Sequence, residues 1–256
     1  MTYSFAGTAS VGERAAFPMW PHNAEIRYNA PVSLDPTRVA AYAALVQARK
    51  ACAVCTALMN PAACDGGVYD SDQIGPWSLW QGNLNAKLVV VGQDWGDTRY
   101  FFANRGREAA RNPTNETLRK LLDSIGIEVA APGAGTTGGA RCFFTNAVLC
   151  LKQGGLQAKV DPEWFTSCGN RFLRPTIDLI APKAVVSLGE WAYRAILAAY
   201  GVPRIAFKEA VERPDGFKLA GRSYFPMYHC GARILNTHRR YQQQQKDWQR
   251  VKEVLS

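Results

Sequence analysis

Leu88-Val89-Val90-Val91 is an unbroken aliphatic run rich in β-branched residues, and it stops at Gly92-Gln93-Asp94. Such a run reads as a strand buried on both faces, which obliges the chain to supply a covering layer on either side. Open α/β sheets bind ligands in the crevice beyond the carboxyl ends of their strands. Asp94, on the turn at that edge, is placed either to act on something bound there or to cap the helix or turn that follows.

The rest of the chain alternates around this strand. Residues 1–38 carry Pro18, Pro21, Pro31 and Pro36 without periodicity and read as an irregular extension, ahead of one domain over 39–256. Val39 to Lys50 is Ala-rich with helical apolar spacing, and it runs directly into Cys52-Ala53-Val54-Cys55. Thr114 to Ile125 sets Leu118, Leu121, Leu122 and Ile125 on one helical face and ends at Gly126. Ala130 to Ala140 reads as a Gly-rich loop, and Cys142 to Cys150 as a second buried strand. Asp161-Pro162 opens a helix carrying Cys168; Ala184 to Leu188 is a third strand, followed by a crossover helix over Gly189 to Tyr200. Ile205 to Tyr228 reads as a hairpin turning at Pro214-Asp215-Gly216, with a last strand from Ser223 to Tyr228. Arg239 to Leu255 closes the chain as a basic helix. The expected class is α/β, a central and mainly parallel four-stranded sheet with helices on both faces.

Hydrophobic residues make up 47% of the 256 and charged residues 20%, the balance of a globular chain with a large core. No apolar stretch approaches the roughly 20 residues that span a bilayer. The start, Met1 to Gly7, lacks the basic-then-apolar pattern of a secretory signal. A cytoplasmic protein with no membrane partner is expected. Net charge is +9, from 30 basic and 21 acidic residues, which favours a polyanionic partner, nucleic acid before membrane. Seven cysteines in a cytosolic chain point to metal or to unpaired core thiols. Cys52 and Cys55 are spaced for one corner of a metal site. With Cys150 and Cys168 they make four thiolates, enough for a [4Fe–4S] cluster or, as second choice, a zinc ion. Cys64, Cys142 and Cys230 then read as small buried apolar groups.

From about residue 45 to the end, the chain resembles the uracil-DNA glycosylase superfamily. Cys52, Cys55, Cys150 at the end of Thr145-Asn146-Ala147-Val148-Leu149-Cys150, and Cys168 look like the cluster ligands of the iron–sulfur members (family 4). Asp178-Leu179-Ile180-Ala181-Pro182 with Val185-Val186-Ser187-Leu188-Gly189 resembles that family's next strand and turn. Phe225-Pro226-Met227-Tyr228-His229 resembles the strand ending in its active-site histidine. Gly92-Gln93-Asp94, by contrast, looks like the first motif of the family 1 enzymes. The resemblance implies a three-layer α/β/α sandwich that hydrolyses the N-glycosidic bond of uracil in DNA, acting as a monomer with a structural [4Fe–4S] cluster.

Roles follow for particular residues. Asp94 and His229 would be catalytic, Asp94 orienting water and steadying the cationic sugar, His229 hydrogen-bonding the departing base. Asn146 would pair with uracil, Phe102 (or Phe101 or Tyr100) would stack on it, and Gln93 and Trp95 would line the pocket. Arg233, Leu235 and Arg239 would meet the DNA, Leu235 or Ile234 as a wedge in the gap left by the flipped base. Two departures stand out. Trp95-Gly96-Asp97 replaces the Pro, Tyr and His that follow the family 1 aspartate, which removes the tyrosine that blocks thymine's methyl. Cys230-Gly231 replaces the Pro-Ser pair after the histidine. Two other readings stay open: a uracil- or lesion-binding protein with little turnover, and a redox-responsive iron–sulfur DNA binder.

Overall fold

The computed structural model describes residues 35–134, 141–155 and 158–256. The aliphatic run lies within β1 (Leu88–Asp94), flanked in parallel by β2 (Cys142–Val148) and β3 (Ala184–Leu188). Beyond β3 come β5 (Arg222–Met227), also parallel, and the short antiparallel edge strand β4 (Phe217–Leu219). The order β2-β1-β3-β5-β4 makes a sheet of five strands, one more than the sequence suggested. Every residue of β2 and β3 is buried, as strands covered on both faces must be.

Two cores flank the sheet. Val89, Val91, Phe143, Val185 and Tyr224 pack on α1 (Pro36–Lys50), α5 (Pro162–Cys168), α6 (Arg174–Ile180) and α7 (Glu190–Tyr200). Leu88, Val90, Phe144, Val186 and Phe225 pack on α2 (Pro76–Trp80), α3 (Thr98–Ala103), α4 (Pro113–Asp123) and α10 (Tyr241–Leu255). The result is a three-layer α/β/α sandwich. Helix starts are set locally: Asp161 Oδ1 accepts from the Glu163 N–H at 2.9 Å with Pro162 in the first turn, and Asn112 caps α4 through the Thr114 N–H at 3.0 Å.

Two local expectations differ. The hairpin turns at Ala220-Gly221, not at Pro214-Asp215-Gly216: Leu219 faces Arg222 across two residues with φ of 46° and 85°. Positive φ at both positions is the type I′ form of a two-residue hairpin, and Gly221 supplies one of them at no cost. Ahead of it Phe207–Glu212 forms a helix, α8, where strand was expected. After Asp94 the chain enters helix α3, where Asp97 Oδ1 accepts from the Tyr100 N–H at 2.7 Å. The extension expected over 1–38 lies outside the described residues up to 34, and α1 begins inside it at Pro36. Of the loop expected at Ala130 to Ala140, residues 135–140 also lie outside. No described helix is long and apolar enough to cross a membrane.

Candidate active site

Because β2, β1, β3 and β5 run in one direction, their carboxyl ends bring Asn146, Asp94, Gly189 and His229 to a single sheet edge. In register, Asn146 lies opposite Gly92, and Asp94 opposite Val148. Side chains two residues apart on a strand share a face, so Asn146 and Asp94 project from the same side of the sheet.

Asn146 is buried, and its Oδ1 accepts no hydrogen bond among the described residues. A buried acceptor left open is costly unless something else satisfies it. A Cβ on residue 92 would stand 2.6 Å from Asn146 Nδ2 and 2.8 Å from Trp77 Cζ3, so only glycine lets the amide and the indole close over the strand. Trp77, which sequence reasoning did not single out, thereby becomes a wall beside Asn146.

Both carboxylate oxygens of Asp94 are engaged. Gln93 Nε2 donates to Oδ2 at 2.7 Å, and Lys152 Nζ lies 3.1 Å from Oδ1, with both charged side chains only 6% exposed. Burial holds the His229 imidazole below its ordinary range, and the Asp94 carboxylate, which favours the protonated form, offsets only part of that shift. The ring is therefore neutral near pH 7 while still reachable from solvent. Its Nδ1 accepts from the Gly231 N–H at 3.1 Å, which puts the single ring proton on Nε2. Gln244 Nε2 holds the His229 carbonyl at 3.2 Å.

The other candidates are spread more widely. Trp95 is buried against Tyr100 and Phe101, centroids 5.1 and 5.6 Å away, beside Glu108, whose carboxyl is raised by burial. Phe101 is core. Phe102 is 39% exposed and meets Tyr69 edge-on at 6.2 Å. Arg233 is exposed and Leu235 half-buried on α9 (Ala232–Thr237), directly after His229. Arg239 is committed elsewhere: its Nε and Nη2 bond both oxygens of Asp247 at 3.0 and 2.7 Å, so it serves as a strut to α10.

Cys52, Cys55, Cys150 and Cys168 line one pocket with Leu58, Leu149, Phe172, Arg49 and Arg171. Burial pushes the Cys150 thiol up to about 12 and raises Cys168 and Cys55, and the neighbouring sulfurs of the set raise each further. Among the described residues, no three His, Cys, Asp or Glu side chains are arranged to hold a metal ion. Cys64, Cys142 and Cys230 are buried and outside that pocket.

This edge offers a carboxylate, a neutral N–H donor and an amide with an open acceptor, a set suited to reading a planar base and stabilising charge as a bond to it breaks. Comparison with known proteins points the same way. The family model described as the uracil DNA glycosylase superfamily matches residues 79–252. The chain is also 28% identical over 197 residues to the type-5 uracil-DNA glycosylase of Pyrobaculum aerophilum, covering 71% of this chain and 83% of that protein. That relative is of a different type from the two whose motifs the sequence resembles.

Proposed function

The chain belongs to the uracil-DNA glycosylase superfamily, and on that premise we propose that it removes uracil from DNA by hydrolysing the N-glycosidic bond. A base must leave the duplex stack before such chemistry can reach it. Asn146 then reads the flipped uracil, Oδ1 accepting from N3–H and Nδ2 donating to O4. As the bond breaks, the sugar becomes cationic and the base anionic. Asp94 steadies the former and orients the attacking water, while the Nε2–H of His229 donates to uracil O2. A neutral imidazole suits this role, since it needs no prior protonation at neutral pH. Arg233 and Leu235 extend the site toward the duplex, a phosphate contact and a wedge respectively.

The observation that carries this reading is the shared face of Asp94 and the partnerless, buried Asn146 Oδ1, at the same sheet edge as the neutral His229. The test is a uracil-containing oligonucleotide incubated with the protein and then with alkali: strand scission at uracil is expected, and an intact strand rejects the reading. A second reading, binding without efficient turnover, draws on the engagement of both Asp94 oxygens; tight uracil-dependent binding with no base release would favour it.

Four thiols converging on one largely apolar pocket fit a [4Fe–4S] cluster better than a single ion, whose ligands must all approach one centre. Cys52, Cys55, Cys150 and Cys168 would hold it, and when bound it supplies a cross-link between the α1 loop, the end of β2 and α5. No redox turnover enters the proposed reaction.

A further inference from the structure

Lys152 is a buried cation that the reaction above does not use. We propose that Lys152 is a positioning residue that, with Gln93, fixes the rotation of the Asp94 carboxylate; this rests on the glycosylase reading.

Three observations carry it. The first is the contact itself, Lys152 Nζ to Asp94 Oδ1 at 3.1 Å, with both side chains shielded from water. A surface ion pair contributes little, whereas a pair shielded from water on both sides is costly to break by removing either partner. The second is the division of labour: Gln93 takes Oδ2 and Lys152 takes Oδ1, so the carboxylate has a donor on each oxygen and cannot turn freely about its last bond. Each oxygen keeps a second lone pair for water or substrate. The third is the anchoring of Lys152. Its N–H donates to the Gly96 carbonyl at 3.0 Å, and its carbonyl accepts from the Thr98 N–H at 3.1 Å. The lysine backbone is thus bonded to the loop that leaves Asp94, and the side chain folds back onto the carboxylate. One residue earlier, Leu151 exchanges both backbone hydrogen bonds with Met59, at 2.9 and 2.8 Å. The segment after β2 is therefore held from both sides, giving the ammonium a rigid mount.

Catalytic groups lose effectiveness steeply when their orientation is lost. The experiment measures single-turnover uracil excision and DNA affinity for the wild type, Lys152→Met, Lys152→Arg, Asp94→Asn and the Asp94→Asn/Lys152→Met double variant. The expected result is a roughly 10–100-fold slower excision in Lys152→Met with affinity kept within about twofold, and substantial recovery in Lys152→Arg. Because Lys152 acts through Asp94, adding Lys152→Met to Asp94→Asn should cost nothing further. Should Lys152→Met fail to fold, the arginine variant and the double variant, whose neutral amide needs no counter-charge, carry the test. Wild-type speed in Lys152→Met, or a loss that adds in full to that of Asp94→Asn, overturns the proposal and leaves the glycosylase reading standing. A wild type that releases no uracil overturns both.

Discussion

A methyl group at position 92 would sit 2.6 Å from Asn146 Nδ2 and 2.8 Å from the Trp77 ring, with all three residues buried. Overpacking of this kind costs about 1–3 kcal/mol, so Gly92→Ala should lower thermal stability and displace Asn146, reducing excision more than DNA binding. A variant as stable and as fast as the wild type would show that the amide does not pack there. His229 gives a second prediction. Its folded pKa lies below the unfolded value of about 6.5, so between the two the unfolded chain binds more protons. Stability therefore holds above about pH 6.5 and declines as pH falls through that window. Denaturant unfolding at several pH values checks this: His229→Gln should flatten that part of the profile, and an unchanged profile contradicts the neutral imidazole. Asp94 could be picked out in the sequence because it ends an aliphatic strand, and Asn146 and His229 because the segments carrying them resemble motifs of the superfamily. Lys152 and Trp77 could not. A lysine in Leu151-Lys152-Gln153-Gly154-Gly155 looks solvated, and only the return of that segment to the Asp94 loop buries it.

At the scale of elements, β1 and β3 were legible because strands buried on both faces read as aliphatic runs, β2 and β5 as short apolar and aromatic runs, and α4 because its leucines keep one face. The edge strand β4 has three residues, too few to show alternation, and α8 and α3 have six each, too few for a helical period. For these, capping and tertiary contact decided. The thiols divide along element lines as well. Cys142 is the first residue of β2 and fully buried, whereas Cys150 lies past the strand's end and lines the pocket with Cys52, Cys55 and Cys168. Cys142→Ala should cost on the order of 1 kcal/mol and keep the brown colour and visible absorbance of thiolate-bound iron. Cys150→Ala should lose the colour and unfold at lower temperature. Colour that survives in Cys150→Ala, or a wild type that is purified colourless under anaerobic conditions, would remove the cluster.

For the molecule as a whole, a net charge of +9 sets an attraction to DNA that salt must weaken. Arg233 is exposed beside the site, so Arg233→Ala should weaken DNA binding and make it less salt-dependent, with stability unchanged. Arg239→Ala should do the reverse: it strips Asp247 of its bidentate partner and costs roughly 1–3 kcal/mol, with little effect on the salt slope. Binding isotherms across salt, together with melting curves, separate the two; exchanged phenotypes would mean that Arg239, not Arg233, faces the duplex. The layered sandwich places a carboxylate, an amide and an imidazole on one edge, and their proposed role is addressed most directly by one measurement: single-turnover release of uracil from an oligonucleotide by the wild type and by Asp94→Asn. Release by the wild type, with a rate lower by orders of magnitude in Asp94→Asn and DNA affinity retained, is the expected result. Equal rates in the two proteins, or no release by a folded wild type, would contradict it.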